Sequence, residues 1–431
     1  MLRSLSLLAA LCLSAQLQAA QAPKNIIFMI GDGMGPAYPA AYRYFADDPA
    51  TPRVENTVFD EMLVGMATTY PDEPDTIVTD SAAAATALAT GHKSYNGAIA
   101  VDRQKQPLAT LLELAKQRGL STGLAVTSQV NHATPAAFMA HNESRRNYDA
   151  IADAYLDERI NGKPKADLLL GGGLKFFKRE DRDLVAEFMA LGYGFVDSAE
   201  SLGKADRLPL LGLFGDVALP SAIDDQKGPR LAAMTAKAVT LLDDNPKGFF
   251  LLVEGSQIDW AGHDNDIVTA LHEMADFAAA IRWARDYARE NQDTLVVVTA
   301  DHGTGGLTLG ADGKYQWRAD FLRQIPHSPR RAAKLLLAAD EPRARLGGIL
   351  GFAPSREEAE AVLDARDDGP DALARAIKTL IDKRSLTGWT TSGHTAIDVP
   401  VYAFGPGAET LGKVMDNTEL SQRLLALMTA R

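Results

Sequence analysis

Uninterrupted apolar runs, each closed by glycine or a polar residue, recur along the chain and are separated by segments of helical periodicity. The first, Lys24 to Ile30, ends at Gly31-Asp32-Gly33 and predicts a buried strand stopped by a tight turn. Ser121 to Thr127, Asp167 to Leu170, Gly248 to Val253, Thr294 to Thr299 and Pro400 to Phe404 repeat the pattern. Between them, residues 81–90 predict an Ala-rich helix stopped at Gly91, Pro229 to Leu242 carries apolar positions at helical spacing, Ile267 to Ala288 predicts a long helix, and another begins at Asn417. Continuous apolar strands belong to sheets covered on both faces. The alternation therefore predicts an α/β fold of three layers, with a mostly parallel central sheet and helices on both faces.

From about Gly310 to Leu386 the strand signals fade and the chain is helix-like, with a cationic group of Arg323, Arg330, Arg331, Lys334, Arg343 and Arg345. This stretch reads as a helical insertion, about 310–386, that borders the site within one α/β domain spanning 23–431; its basic residues read as a solvated face. At the other end, Met1-Leu2-Arg3, the apolar run Leu5 to Ala15 and the small residues Ala19, Ala20 and Ala22 predict a signal peptide over 1–22. That run is too short for a membrane span of ~20 residues, and no later segment is apolar enough. The expectation is a periplasmic or secreted protein without a stable membrane anchor. Composition narrows the class further: of 431 residues 46% are hydrophobic and 23% charged, which excludes a disordered chain, and the single cysteine excludes a disulfide scaffold. The formal charge of −12 argues against nucleic acid as a partner.

In open parallel sheets ligands bind beyond the carboxyl ends of the strands. Residues of metal-ligand type stand there: Asp32 after the first strand, Glu254 directly after the strand ending at Val253, Asp259 and His263 following it, Asp301-His302 two residues beyond the strand ending at Thr299, and His394 ahead of strand 400–404. Taken singly, each has a bland reading as a helix cap or a turn. Together they occupy one edge of the sheet, and Asp259 and His263, spaced i, i+4, would share a helix face. Oxygen and imidazole donors without thiolate suit zinc or a similar divalent ion. Asp80-Ser81 opens the helix 81–90; alone it reads as an ordinary N-cap, and beside a bound zinc Ser81 would become a nucleophile. Gly31-Asp32-Gly33-Met34-Gly35 matches neither Gly-rich phosphate fingerprint.

The ordered set Gly31-Asp32-Gly33-Met34-Gly35, Thr79-Asp80-Ser81-Ala82-Ala83-Ala84, His132-Ala133-Thr134-Pro135, Ser144-Arg145, Glu254-Gly255 through Asp259 to His263, Thr299-Ala300-Asp301-His302 and Gly393-His394-Thr395 resembles the alkaline phosphatases, over roughly 24–308 and 388–407. The resemblance implies Ser81 as the phosphorylated nucleophile and Arg145 as the clamp on two phosphate oxygens. It implies two Zn2+ ions, the first on Asp259, His263 and His394, the second on Asp32, Asp301 and His302. A third ion, Mg2+, would share Asp32 and take Thr134 and Glu254. His132 stands where some members carry Asp near the third metal, and Trp260 where some carry Lys or His, so both border the site. The implied activity is exported, metal-dependent hydrolysis of phosphate monoesters through a phosphoserine intermediate. Phosphodiester or phosphonate hydrolysis within the same superfamily, or non-catalytic binding of phosphate or metal, are the alternatives; a homodimer is left open.

Overall fold

The computed structural model describes residues 22–225 and 230–430, so the signal segment, apart from Ala22, and the predicted helix start at Pro229 lie outside the described residues. Ten strands form one sheet: β1 (Asn25–Gly31), β2 (Leu63–Thr68), β3 (Ser121–Gln129), β4 (Leu168–Gly172), β5 (Gly194–Val196), β6 (Leu210–Leu213), β7 (Phe249–Gly255), β8 (Thr294–Ala300), β9 (Val399–Phe404) and β10 (Lys413–Asp416). Their order is β10-β2-β9-β8-β1-β7-β3-β4-β6-β5. Of the ten, β9 alone runs antiparallel to both its neighbours, β8 and β2. The strands foreseen from apolar runs occupy the centre, where β1, β3, β7 and β8 are buried at every position. The four unforeseen ones flank that centre: β2 is half-exposed, β5 has three residues, β6 is short though buried, and β10 is an edge strand.

Helices cover both faces of the sheet. The helix Arg230–Leu242 packs against the long helix Ile267–Asn291, and both contact β7. In the second layer α1 (Ser81–Thr90) packs against α2 (Ala133–Met139) and the C-terminal helix Asn417–Thr429. Nine of the ten residues of α1 are buried, from Ser81 to Ala89, which is why six of the ten are alanine: small side chains let its backbone lie close to its neighbours. It starts at Asp80, whose carboxylate accepts from the Ala83 N–H, and stops at Gly91 in the left-handed conformation. Phe28 of β1, Phe138 of α2 and Phe250 of β7 meet at ring distances of 6.0 and 6.3 Å, fixing α2 against the sheet.

Residues 319–385 form five helices, α5 (Ala319–Arg323), α6 (Pro329–Leu337), α7 (Pro342–Leu350), α8 (Arg356–Asp364) and α9 (Pro370–Ser385). An antiparallel ladder, Thr308 opposite Gly388 and Leu309 opposite Thr387, brings the two ends of this stretch together. Ser328 caps α6 through the Arg331 N–H, and Pro329, Ala332, Ala333 and Leu336 form its buried face.

Candidate active site

Strand register forces the acidic residues together. β1 lies between β8 and β7, with Gly31 opposite both Ala300 and Gly255. Asp32 and Asp301 therefore leave adjacent parallel strands at one level. Glu254, expected just past its strand, lies within β7 opposite Ile30, because the pairing with β1 continues to Gly255. Gly33 must be glycine: its φ is +70°, and a Cβ would sit 2.7 Å from the Asp259 Cα. Its N–H and that of His302 both donate to Asp301 Oδ1, at 3.0 and 2.9 Å.

The histidines arrive from three directions. His302 follows β8. His263 lies one helical turn from Asp259 on α3 (Gln257–His263), which precedes α4 (Ile267–Asn291), with 3.4 Å between its Nε2 and Asp259 Oδ2. His394 is delivered by a two-rung antiparallel ladder that sets it opposite Thr304. Its ring stacks on that of His302 at 3.6 Å, and its Nε2 lies 3.1 Å from the Nε2 of His263. The outer nitrogens are fixed by oxygen partners: His263 Nδ1 meets the Ser392 carbonyl at 2.6 Å, and His394 Nδ1 the Thr79 carbonyl at 2.8 Å. A carbonyl at Nδ1 accepts a hydrogen bond from the Nδ1–H, which keeps the proton there and leaves the Nε2 lone pair facing inward, the tautomer a metal ligand needs. Thr304 does the same for His302: its hydroxyl donates to Asp259 Oδ1 at 2.5 Å and faces His302 Nδ1 at 3.2 Å.

Three groups of ligand atoms result, each within 4.8 Å: Asp32, Asp301 and His302; Asp259, His302 and His394; Asp32, His132 and Glu254. Ser81 sits at the first turn of α1 with its Oγ 3.2 Å from His302 Nε2. Asp80 has a second task beside capping: its Oδ2 accepts from Arg145 Nη1 at 3.0 Å. Arg145 Nη2 is 3.4 Å from His132 Nε2, and the Trp260 ring meets the His132 ring edge-on at 5.8 Å. The structure thus gathers Asp32, Ser81, Thr134, Arg145, Glu254, Asp259, His263, Asp301, His302 and His394, with His132 and Trp260 at the border. Sequence reasoning missed Thr304 and the hold of Asp80 on Arg145. The only sequence signal for either was proximity to Asp301-His302 and to Ser81.

The electrostatics are those of too many buried carboxylates. Burial, then the charges of Asp301, Asp259 and Glu254, push the Asp32 carboxyl well above its usual range. Burial pushes Glu254 up to about 8 and Asp301 to about 6. Asp259 alone is held low, its burial outweighed by the His263 hydrogen bond and the charges of His302, His263 and His394. Hydrogen bonding to Asp259 raises His263 to about 9, whereas burial lowers His302 and His394 to about 4 and His132 to about 3. Both oxygens of Asp32, Glu254 Oε1 and Thr134 Oγ1 are buried without a hydrogen-bond partner. Buried anions of this kind need cations. The donors fit them: mixed imidazole and carboxylate suits zinc, and the oxygen set Asp32, Thr134 and Glu254 suits the harder magnesium ion.

Comparison with known proteins points one way. A family profile described as alkaline phosphatase matches residues 23–430. Alkaline phosphatase 3 of Bacillus subtilis (strain 168) is 48% identical over 406 residues, covering 93% of this chain and 88% of that protein. A cold-active alkaline phosphatase from a psychrophilic Shewanella sp. superposes with a TM-score of 0.90 at 52% identity, covering 94% of this chain and 99% of that one. A variant of the alkaline phosphatase from the Antarctic bacterium TAB5, solved with Mg bound in its M3 site, has a TM-score of 0.70 at 27% identity, covering 95% and 99%.

Proposed function

The chain belongs to the alkaline phosphatase family, metal-dependent enzymes that hydrolyse phosphate monoesters, and from that premise we propose that it works through a phosphoserine formed on Ser81. The observation that carries the reading is the Ser81 hydroxyl at a helix start, 3.2 Å from His302 Nε2 and beside buried carboxylates that lack partners.

Asp259, His263 and His394 would hold one Zn2+, and Asp32, Asp301 and His302 a second. Asp32, Thr134 and Glu254 would hold Mg2+, with His132 at its border. When bound, such ions lower the pKa of the hydroxyl groups they touch and neutralise charge on the attacking and leaving oxygens. Arg145, braced by Asp80, offers two parallel N–H donors to two non-bridging phosphate oxygens, a planar match that a lysine would not provide. The N–H groups of the first turn of α1 favour the same anion. Ser81 Oγ then attacks phosphorus as the bond to the ester oxygen breaks; the alcohol leaves with a proton, and the phosphoryl group stays on Ser81. Attack by water breaks the Oγ–P bond, returns a proton to Ser81 and releases inorganic phosphate.

Replacing Ser81 with Ala is expected to lower turnover of an aryl phosphate by about a thousandfold or more. The phosphoserine should be recoverable on the wild-type Ser81 peptide by acid quench and mass spectrometry. Undiminished turnover in Ser81→Ala would remove Ser81 as nucleophile. Residues 1–22 would serve as a cleaved export signal, placing the enzyme in the periplasm or outside the cell; sequencing the N-terminus of the exported protein tests this. Among the described residues no helix is long and apolar enough to cross a membrane.

A further inference from the structure

Residues 69–80, which lead to Ser81, form neither helix nor strand, so no ladder holds them. A loop beyond α1, residues 94–97, supplies the hold instead. The Ser94 carbonyl accepts from the Asp72 N–H at 2.8 Å, and the Gly97 carbonyl accepts from the Arg145 N–H at the same distance. Just past the loop, Ile99 and Asn142 exchange two backbone bonds of 2.9 Å. The loop is thus tied on one side to the segment ahead of the nucleophile and on the other to the segment that carries the phosphate clamp.

Asn96, half-buried in that loop, uses both ends of its amide. Its Oδ1 accepts from the Asp80 N–H at 2.7 Å, and its Nδ2 donates to the Val78 carbonyl at 3.1 Å and to Glu73 Oε2 at 3.2 Å. Glu73 Oε1 also accepts from the Asn96 N–H at 3.0 Å, so one carboxylate grips backbone and side chain and fixes which end of the amide faces Asp80. The amide therefore brackets Thr79, bonding the residue on either side of it. Thr79 presents its carbonyl to His394 Nδ1 at 2.8 Å. Asp80 caps α1 at the Ala83 N–H, accepts from the Gly97 N–H at 3.0 Å and holds Arg145. Ser81 follows directly. Three parts of the site take their places from residues 79–81, and Asn96 pins that stretch from outside.

We infer that Asn96 is a positioning residue for the reaction, setting Ser81, Arg145 and His394 in register, with Glu73 locking its amide in the orientation that does so. Attack at phosphorus needs the Ser81 hydroxyl and both Arg145 donors aligned on one phosphate, and a displacement of about 1 Å can cost a hundredfold in rate. The inference rests on the reading of Ser81 and Arg145 as the phosphate site.

The test measures kcat/KM for phenyl phosphate and inhibition by inorganic phosphate in the metal-loaded enzyme, beside zinc content and melting temperature. Asn96→Ala is expected to lower kcat/KM by about ten- to a hundredfold and to weaken phosphate inhibition, with zinc content kept and the melting temperature lowered by about 2 °C or less. Tyr95→Phe removes another bond of the same loop, from the Tyr95 hydroxyl to the Glu143 carbonyl at 2.9 Å, and is expected to leave both constants intact. Asn96→Asp keeps an acceptor for the Asp80 N–H but sets a like charge against Glu73; its impairment should be recovered severalfold when Glu73→Gln is added and returns a donor. Unchanged constants in Asn96→Ala, a loss that merely follows zinc content or melting temperature, an equal loss in Tyr95→Phe, or no recovery in the double variant overturns the inference. Undiminished turnover in Ser81→Ala would instead strike the reading of the catalytic centre.

Discussion

Among the described residues, histidine and carboxylate atoms come within 4.8 Å of one another at two places, the strand ends and a second cluster, and the two are completed in opposite ways. In the cluster of Glu113, His141 and Glu158, the buried Lys165 sits between the acids. Its ammonium lies 2.7 Å from Glu113, contacts Glu158 and donates to the Met139 carbonyl at 2.8 Å. Both ring nitrogens of His141 are occupied, by Glu158 at 3.2 Å and the Leu108 carbonyl at 3.0 Å. At the strand ends, Asp32, Glu254 and Asp301 face one another with no lysine among them, and both Asp32 oxygens lack a partner. Proximity of ligand types is common to both places. What separates a metal centre from a structural ion cluster is the charge left uncompensated and the lone pairs left free.

Removing divalent ions is the broadest test of that contrast. Chelation should abolish phosphatase turnover, by about a thousandfold or more, and lower the melting temperature, both restored by added zinc and magnesium. In the stripped protein the two clusters should answer pH with opposite sign. Burial raises the Glu254 carboxyl from 4.5 to about 8, so the stripped fold keeps its proton longer than the unfolded chain does. This contribution to stability is full below 4.5 and is lost as pH rises towards 8. At Glu158, partial burial is outweighed by the His141 hydrogen bond and the charge of Lys165, which lower the carboxyl; the stability it contributes is present above the ordinary value and lost as pH falls. Denaturant titrations across pH, with and without metal, would expose the two arms. A metal-free protein as stable at pH 8 as at pH 5 would break the comparison.

Lys165→Met attacks the other member of the pair. It leaves Glu113 and Glu158 without their cation, and about 3 kcal/mol of stability should be lost, the low end for a broken buried pair because Glu158 stays partly exposed. Metal content should be unchanged in this variant, since Lys165 touches none of the candidate ligands. A drop in bound zinc would mean the two clusters are coupled. The smallest expected effect is at Thr304. Thr304→Val removes the hydroxyl that links Asp259 to His302, and zinc affinity measured by chelator competition should fall about 10–100-fold with little change in fold stability.

The central strands and the residues at their ends were legible because burial on both faces demands unbroken apolar runs, and those runs can be counted in one dimension. Asp32, Asp301 and Glu254 could be placed on one sheet edge from their position at the carboxyl ends of predicted parallel strands, with Glu254 misjudged by one register step. Asp259 and His263 could be paired from helical spacing. Arg145 was different: nothing in its surroundings marked it except the family resemblance, and its orientation depends on Asp80, 65 positions earlier. His394 was noticed as a lone histidine ahead of a strand, yet its stacking on His302 comes from a two-rung ladder between residues far apart in the chain. β2, β5, β6 and β10 were missed: β5, β6 and β10 have only three or four residues, too few to stand out as a run, and β2 is apolar in sequence yet largely half-exposed in the fold.

By itself the sequence determined the layers, the edge of the sheet where chemistry gathers and the kinds of donor atoms available there, all of which follow from local patterns of burial and turn. Tertiary structure decided how those donors are shared and what balances them: Thr304 against His302, Asp80 against Arg145, Lys165 inside one acidic cluster and no lysine inside the other. The reason is physical. Hydrophobic burial is a property of a segment, whereas charge compensation is a property of a place, and distant segments meet only when the chain is folded.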